Sequence, residues 1–200
     1  MKCASLTVLI IFSATLAAVP AFSQPPDQTS ATEARRARDR GDTESLQKII
    51  ASARDRAAQS KDFASTVQVA LLENWMCEAA HSHNNDTAVK EAAQAGVQAA
   101  KQAVQLNSNS SEAHQLLGDL LGQLIPYVFG GGMRYGARST REIETAIQLD
   151  PKNANAYVSR GKAYYFTPAM FGGSKEKAVE MFGKAIELDS SSEAAGTAHI

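Results

Sequence analysis

Apolar residues in this chain return every three or four positions, and no stretch alternates as a half-buried strand would. Leu46, Ile49 and Ile50 share one helical stripe. Phe63, Val67, Ala70, Leu71 and Trp75 share another. Good helix formers (Ala, Gln, Glu, Lys, Leu) fill the segments between the breaks. The pattern predicts helices over 31–40, 42–58, 62–80, 86–106, 109–125, 139–150, 153–166 and 174–188. Gly41, the run His81-Ser82-His83-Asn84-Asn85, Pro126 and Pro151 supply the breaks. Asp42, Asn109 and Ser174 are the expected N-caps. Ser139-x-x-Glu142 reads as a capping box, and so does Ser190-x-x-Glu193, which predicts a further helix starting there. Segments 127–137 and 167–173 read as glycine-rich loops.

The tail of the chain repeats itself. Ala146-Ile147-Gln148-Leu149-Asp150-Pro151 returns as Ala185-Ile186-Glu187-Leu188-Asp189-Ser190, an offset of 39 residues. A weaker copy, Ala103-Val104-Gln105-Leu106-Asn107-Ser108, lies 43 residues before Ala146. Periods of this size mean stacked supersecondary units, each covering the apolar face of its neighbour. Ala178, Phe182 and Ala185 step by four and three, so they share a face. The two alanines leave room for a neighbouring backbone and Phe182 fills the gap. Gly118 and Gly161 fall mid-helix, where a glycine costs about 1 kcal/mol against alanine. Both are therefore expected at close helix approaches. The fold class that follows is all-α: an α-α superhelix of antiparallel helix pairs.

These residues resemble the tetratricopeptide repeat. Its pattern runs from a large apolar residue through Leu-Gly, an aromatic or Leu, Ala, an aromatic and Ala to Pro. The last repeat reads Tyr157, Arg160-Gly161, Tyr164, Ala178, Phe182, Ala185, Ser190. The one before reads His114, Leu117-Gly118, Leu121, Ser139, Ile143, Ala146, Pro151. The family's period is 34 residues, so offsets of 39 and 43 imply extra residues. The excess falls in the turn inside each pair, where both loops read aromatic, Gly-Gly, helix start. This long-loop form is similar to a group of exported bacterial repeat proteins that includes the periplasmic T components of tripartite transporters. The resemblance implies a superhelix that binds a protein or peptide on its concave face. Its alternative is a ligand-handling accessory subunit of a solute transporter, with the long loops forming a cavity.

The first residues change the picture of where the chain works. Lys2 is a basic n-region and Leu6 to Leu16 an apolar h-region. Small residues follow, with Ala21-Phe22-Ser23 as the favoured cleavage site and Val19-Pro20-Ala21 as the rival. This is the form of a secretory signal peptide, too short for a comfortable membrane span. The expected layout is a signal peptide over 1–23, a polar linker over 24–30, degenerate helix pairs over 31–108, then two long-loop repeats and the start of a further helix over 109–200. A periplasmic or secreted location follows, with no membrane span in the mature chain. Export leaves Cys77 as the one remaining cysteine, so no internal disulfide is expected and burial is the favoured reading of that thiol.

A net charge of −1 gives no general field for nucleic acid or an anionic membrane. The basic cluster Arg35, Arg36, Arg38 and Arg40 is interrupted by Asp39, Asp42 and Glu44 and reads as a solvated face. Cys77, His81, His83 and Asp86 have a spacing that can hold a metal, but a buried thiol and histidines at a helix C-terminus explain them more simply. No metal or cofactor is expected. There is no Gly-x-Ser-x-Gly, His-Glu-x-x-His or phosphate-cradling Gly-Lys-Ser/Thr, so an enzyme is not expected. Candidate partner-binding residues are Asn153, Tyr157, Tyr164 and Tyr165 on the inner surface, with Phe129 and Phe171 in the loops. For the two phenylalanines a plainer reading, that the loops only tie helices together and the rings tuck into the core, is favoured. The uncovered face of the last helix (Val179, Phe182, Ile186) adds possible self-association through the C-terminal end.

Overall fold

The computed structural model describes residues 28–197, and there it is an array of eight α-helices with no strand. They are α1 (Gln28–Arg40), α2 (Thr43–Ser60), α3 (Phe63–Ser82), α4 (Asp86–Leu106), α5 (Ser111–Leu124), α6 (Ala137–Leu149), α7 (Ala154–Phe166) and α8 (Lys175–Thr197). The expected signal peptide lies outside the described residues. Of the expected linker, positions 28–30 already belong to α1.

Short polar side chains start most helices. Asp42, Asp62, Asn85, Ser110 and Asn153 each accept a hydrogen bond from the backbone N–H three residues on, at 2.8–3.1 Å. Ser174 does the same for Lys177 at 3.2 Å. The cap of α5 is Ser110, not Asn109. Ser139 is no cap at all. Residues Gly132–Gly136 wind as one widened π turn that runs straight into α6, which puts Ser139 in a helix interior. There its buried hydroxyl donates to the Gly118 carbonyl of α5 at 2.7 Å. Glu142 instead takes His114 Nδ1 at 2.7 Å and Arg138. Nor does a new helix start at Ser190. Its hydroxyl donates back to the Ile186 carbonyl at 2.8 Å, and α8 continues unbroken to Thr197.

Each helix packs on the next in antiparallel pairs, and the repeat register holds. A Cβ on Gly118 would lie 2.6 Å from Ile143 of α6, and one on Gly161 would lie 2.5 Å from the Phe182 ring of α8. Ala146, Ala178 and Ala185 are buried on the same seams, and Pro151 follows α6. The core runs through α3, α4 and α5. Leu116, Leu117, Leu120 and Leu121 are fully buried, and α3 is enclosed on nearly every side. Cys77 is among these buried residues, next to the Val89 carbonyl; burial pushes its thiol up to about 12, so it is an inert packing group.

Odd and even helices differ in a way that sets the curvature. α3 touches α5 and α5 touches α7, while no comparable contact joins α4 to α6 or α6 to α8 among the described residues. The odd helices therefore form the tight inner layer and the even helices splay on the outer side, as a superhelical solenoid requires.

Candidate functional site

The inner layer is a parallel one. Asn153 Nδ2 donates to Ser111 Oγ at 2.8 Å, joining the starts of α7 and α5. One turn on, Gln115 Nε2 reaches Ser159 Oγ at 3.3 Å. At the far end His81 of α3 meets Gln123 of α5 at 2.9 Å. The three odd helices thus run side by side in register.

Along the middle of this layer lies a polar strip that the sequence reading missed. α3 contributes Asn74 and Glu78, α5 contributes Gln115 and Asp119, and α7 contributes Ser159 and Lys162. Each pair is spaced by three or four residues, hence on one face. Lys162 Nζ approaches Glu78 at 3.7 Å, and Arg38 of α1 approaches the same carboxylate at 3.8 Å while its guanidinium lies 5.0 Å over the Trp75 ring. Gln115 donates to Asp119 at 2.6 Å. Burial holds the Asp119 carboxyl above the usual carboxylate range, although Lys162, Ser159 and Gln115 pull it the other way. Asn74 is 7 % exposed, and its Oδ1 has no hydrogen-bond partner. A buried acceptor in that state costs free energy until a donor arrives. The steps between these positions are 41 residues from α3 to α5 and 43–44 from α5 to α7, which the offsets of 39 and 43 in the repeated segments do not reproduce, so the strip shows only once the helices are aligned.

A separate buried acid belongs to the framework. Glu73 is 2 % exposed between α3, α4 and α5 and is met by Arg54 of α2. Its carboxyl is pushed up by burial, with Arg54 opposing.

The structure redistributes the sequence candidates. Asn153 is a helix cap and a tie to Ser111. Tyr157 and Tyr164 share a stripe with Gly161, which is the side of α7 packed on α8, and both are half-buried. Tyr164 accepts a hydrogen bond from Arg160 at 3.0 Å, with that guanidinium 4.3 Å over its ring. Tyr165 alone of this set is open to solvent, edge-on to Phe166 at 5.0 Å between centroids. Phe129 and Phe171 are not tucked into the core: they are 105 % and 73 % exposed.

The two loops that carry them are one device used twice. Gly130 and Gly172 have φ of +67° and +93°, the left-handed region that glycine enters without strain. The next glycine folds against backbone. A Cβ would lie 2.2 Å from the Ile125 carbonyl oxygen at Gly131 and 1.7 Å from that of Thr167 at Gly173. The tight reversal throws the preceding phenylalanine outward. The candidate metal set does not converge. His83 donates to the Gly41 carbonyl at 3.0 Å, His81 turns to Gln123 and Tyr127, and Cys77 points into the core.

A search among curated proteins finds no significant relative. Among solved structures, the HusA haemophore from Porphyromonas gingivalis is similar, with a TM-score of 0.66 at 20% identity over 84% of this chain and 82% of that one. MamA from Desulfovibrio magneticus is matched at a TM-score of 0.36 and 15% identity, over 82% of this chain and 95% of that one. The first likeness is one of fold, an all-helical array of the kind described above. The sequence itself carries the affiliation: the family described as regulator of microtubule dynamics protein 1-3 matches residues 31–197, so the whole helical array from α1 to α8 is its domain and the chain belongs to that family.

Proposed function

We propose that the chain is a non-enzymatic binding scaffold that holds a protein segment or peptide along the inner face of α3, α5 and α7. The observation behind this is the polar strip that α3, α5 and α7 build together across the inner layer. Asn74 offers an acceptor without a donor, and Asp119 carries a charge that its surroundings disfavour. A peptide supplies what both lack: backbone N–H groups and basic side chains. Lys162 offers the complementary cation. The family's description, regulators of microtubule dynamics, fits work exercised through a protein partner. The reading includes export, on the pattern of residues 1–23, and N-terminal sequencing of the secreted protein checks that part.

Peptide display on the immobilised chain, followed by calorimetry of the selected sequences, tests the reading. Selected peptides should bind the Asp119→Ala and Lys162→Ala variants roughly ten-fold more weakly, as truncation of interface anchors does, with helix content unchanged. Failure to select any peptide, or equal affinity for the variants, overturns it.

A further inference from the structure

Six large apolar side chains stand in solvent at one end of the array. They are Phe129 and Met133 in the loop after α5, and Tyr165, Phe166, Met170 and Phe171 around the loop after α7. Because α5 and α7 run parallel and in register, both loops leave from the same end. The exposures are those of protruding fingers: 105 % for Phe129, 91 % for Met133 and 83 % for Met170.

The charge around these fingers is predominantly basic. Positions 120–141 and 151–175 contain no Asp or Glu. Exposed Arg134, Arg141, Lys175 and Lys177 flank the two loops; none makes a close ion pair among the described residues, although Lys175 acts on the neighbouring Glu176 carboxylate. Arg134 and Lys175 lie over tyrosine rings instead, at 5.3 and 5.9 Å. Glu176 stands between the two lysines and keeps its negative charge, its carboxyl held low by its own backbone N–H, by the Ser174 hydroxyl at 2.8 Å and by Lys175, so the second loop sets two cations against one anion. Of the acids at this end, Asp42 caps α2, while Asp86 reaches the base of the first loop and accepts from the Tyr127 hydroxyl at 3.3 Å. A whole-chain charge of −1 hides this asymmetry.

We infer that this end docks on an anionic lipid surface, with the phenylalanine and methionine fingers inserted among the acyl chains and the four cations at the headgroup phosphates. Apolar burial and attraction to anionic lipid add in such sites, and tyrosine favours the same boundary. A protein partner would be met by a pocket. Convex fingers backed by exposed cations suit a fluid interface that closes around them. The glycine pairs explain the shape: at each loop they hold the phenylalanine out at the tip.

The test is co-sedimentation of the full chain with vesicles of phosphatidylcholine, with and without phosphatidylserine. Binding should require phosphatidylserine and should weaken as salt rises. The double variant F129S/F171S should bind roughly ten-fold more weakly or less. The variant R134Q/K175Q should lose much of the salt dependence. Both sites are exposed, so circular dichroism should stay unchanged. No binding to anionic vesicles overturns the inference. So does equal binding by F129S/F171S, which would assign the membrane affinity to the apolar segment before residue 24. Peptide binding on the inner face involves none of these residues, so the two results are independent.

Discussion

Asp119 sits where its charge is disfavoured, and the sign of the effect is fixed. Its folded carboxyl titrates above the usual carboxylate range because burial outweighs Lys162, Ser159 and Gln115. The protonated form is therefore favoured in the folded state. Below the unfolded value there is no cost; as pH rises through the raised folded value, stability is lost. Asp119→Asn should therefore raise the urea midpoint at neutral pH and change it little at about pH 3. An equal shift at both values would mean that burial is not the cause. A group kept at a cost to stability is usually kept for function, which is why the strip is the candidate site. Glu73 shows the opposite dependence on a partner. Arg54→Met would leave a buried carboxylate uncompensated, so a loss of about 1–3 kcal/mol is expected at neutral pH. The loss should shrink on acidification as Glu73 takes up a proton, and a pH series of thermal melts reads it. Gly161 is the third informative residue. Gly161→Leu places a side chain where even a Cβ would lie 2.5 Å from the Phe182 ring, and should cost about 1–3 kcal/mol by urea denaturation.

At the scale of the element, periodicity and breakers found all eight helices, most to within three residues at each end. Asp86 to Leu106 and the seams Gly118–Ile143 and Gly161–Phe182 were legible because packing there follows the 3.6-residue period. Two misreadings share a cause. A Ser-x-x-Glu pattern marks a helix start only if the chain before it is not already helical. Gly132–Gly136 keeps winding as a π turn and α8 never breaks, so Ser139 and Ser190 bond neighbouring carbonyls instead. The loop geometry was also hidden, since composition shows Gly-Gly but not which glycine needs positive φ and which needs empty space. That division can be measured. Gly173→Ala meets the Thr167 carbonyl and should cost about 1–3 kcal/mol, with the loop disturbed. Gly132→Ala meets nothing within 4 Å and should change stability by less than about 0.5 kcal/mol. Equal effects in thermal melts would mean the reversal does not depend on the close approach.

At the scale of the molecule, stacking decides what an apolar residue is worth, and one repeat position shows it three times. Val97 of α4, Thr140 of α6 and Val179 of α8 are related by the offsets of 43 and 39, as are Val104, Ile147 and Ile186. Val97 is 4 % exposed, and Val104, Thr140 and Ile147 are half-buried, because the following helix covers each. Val179 and Ile186 are 70 % and 67 % exposed, because among the described residues no helix follows α8 to cover them. The inner strip was invisible for a related reason: its six residues are ordinary polar positions until the array aligns three helices. The same substitution should therefore give two answers. Val97→Ser removes a covered side chain and buries a hydroxyl, and should cost about 1–3 kcal/mol. Val179→Ser should cost under about 0.5 kcal/mol at low protein concentration. Copies that associate through α8 would cover Val179. The wild-type melting temperature would then rise with concentration while that of Val179→Ser would not. A concentration series of both variants, read by calorimetry and sedimentation, separates a bare terminal face from a shared one. If Val179→Ser proves as costly as Val97→Ser in a dilute monomer, stacking within the array is not what assigns these positions their weight.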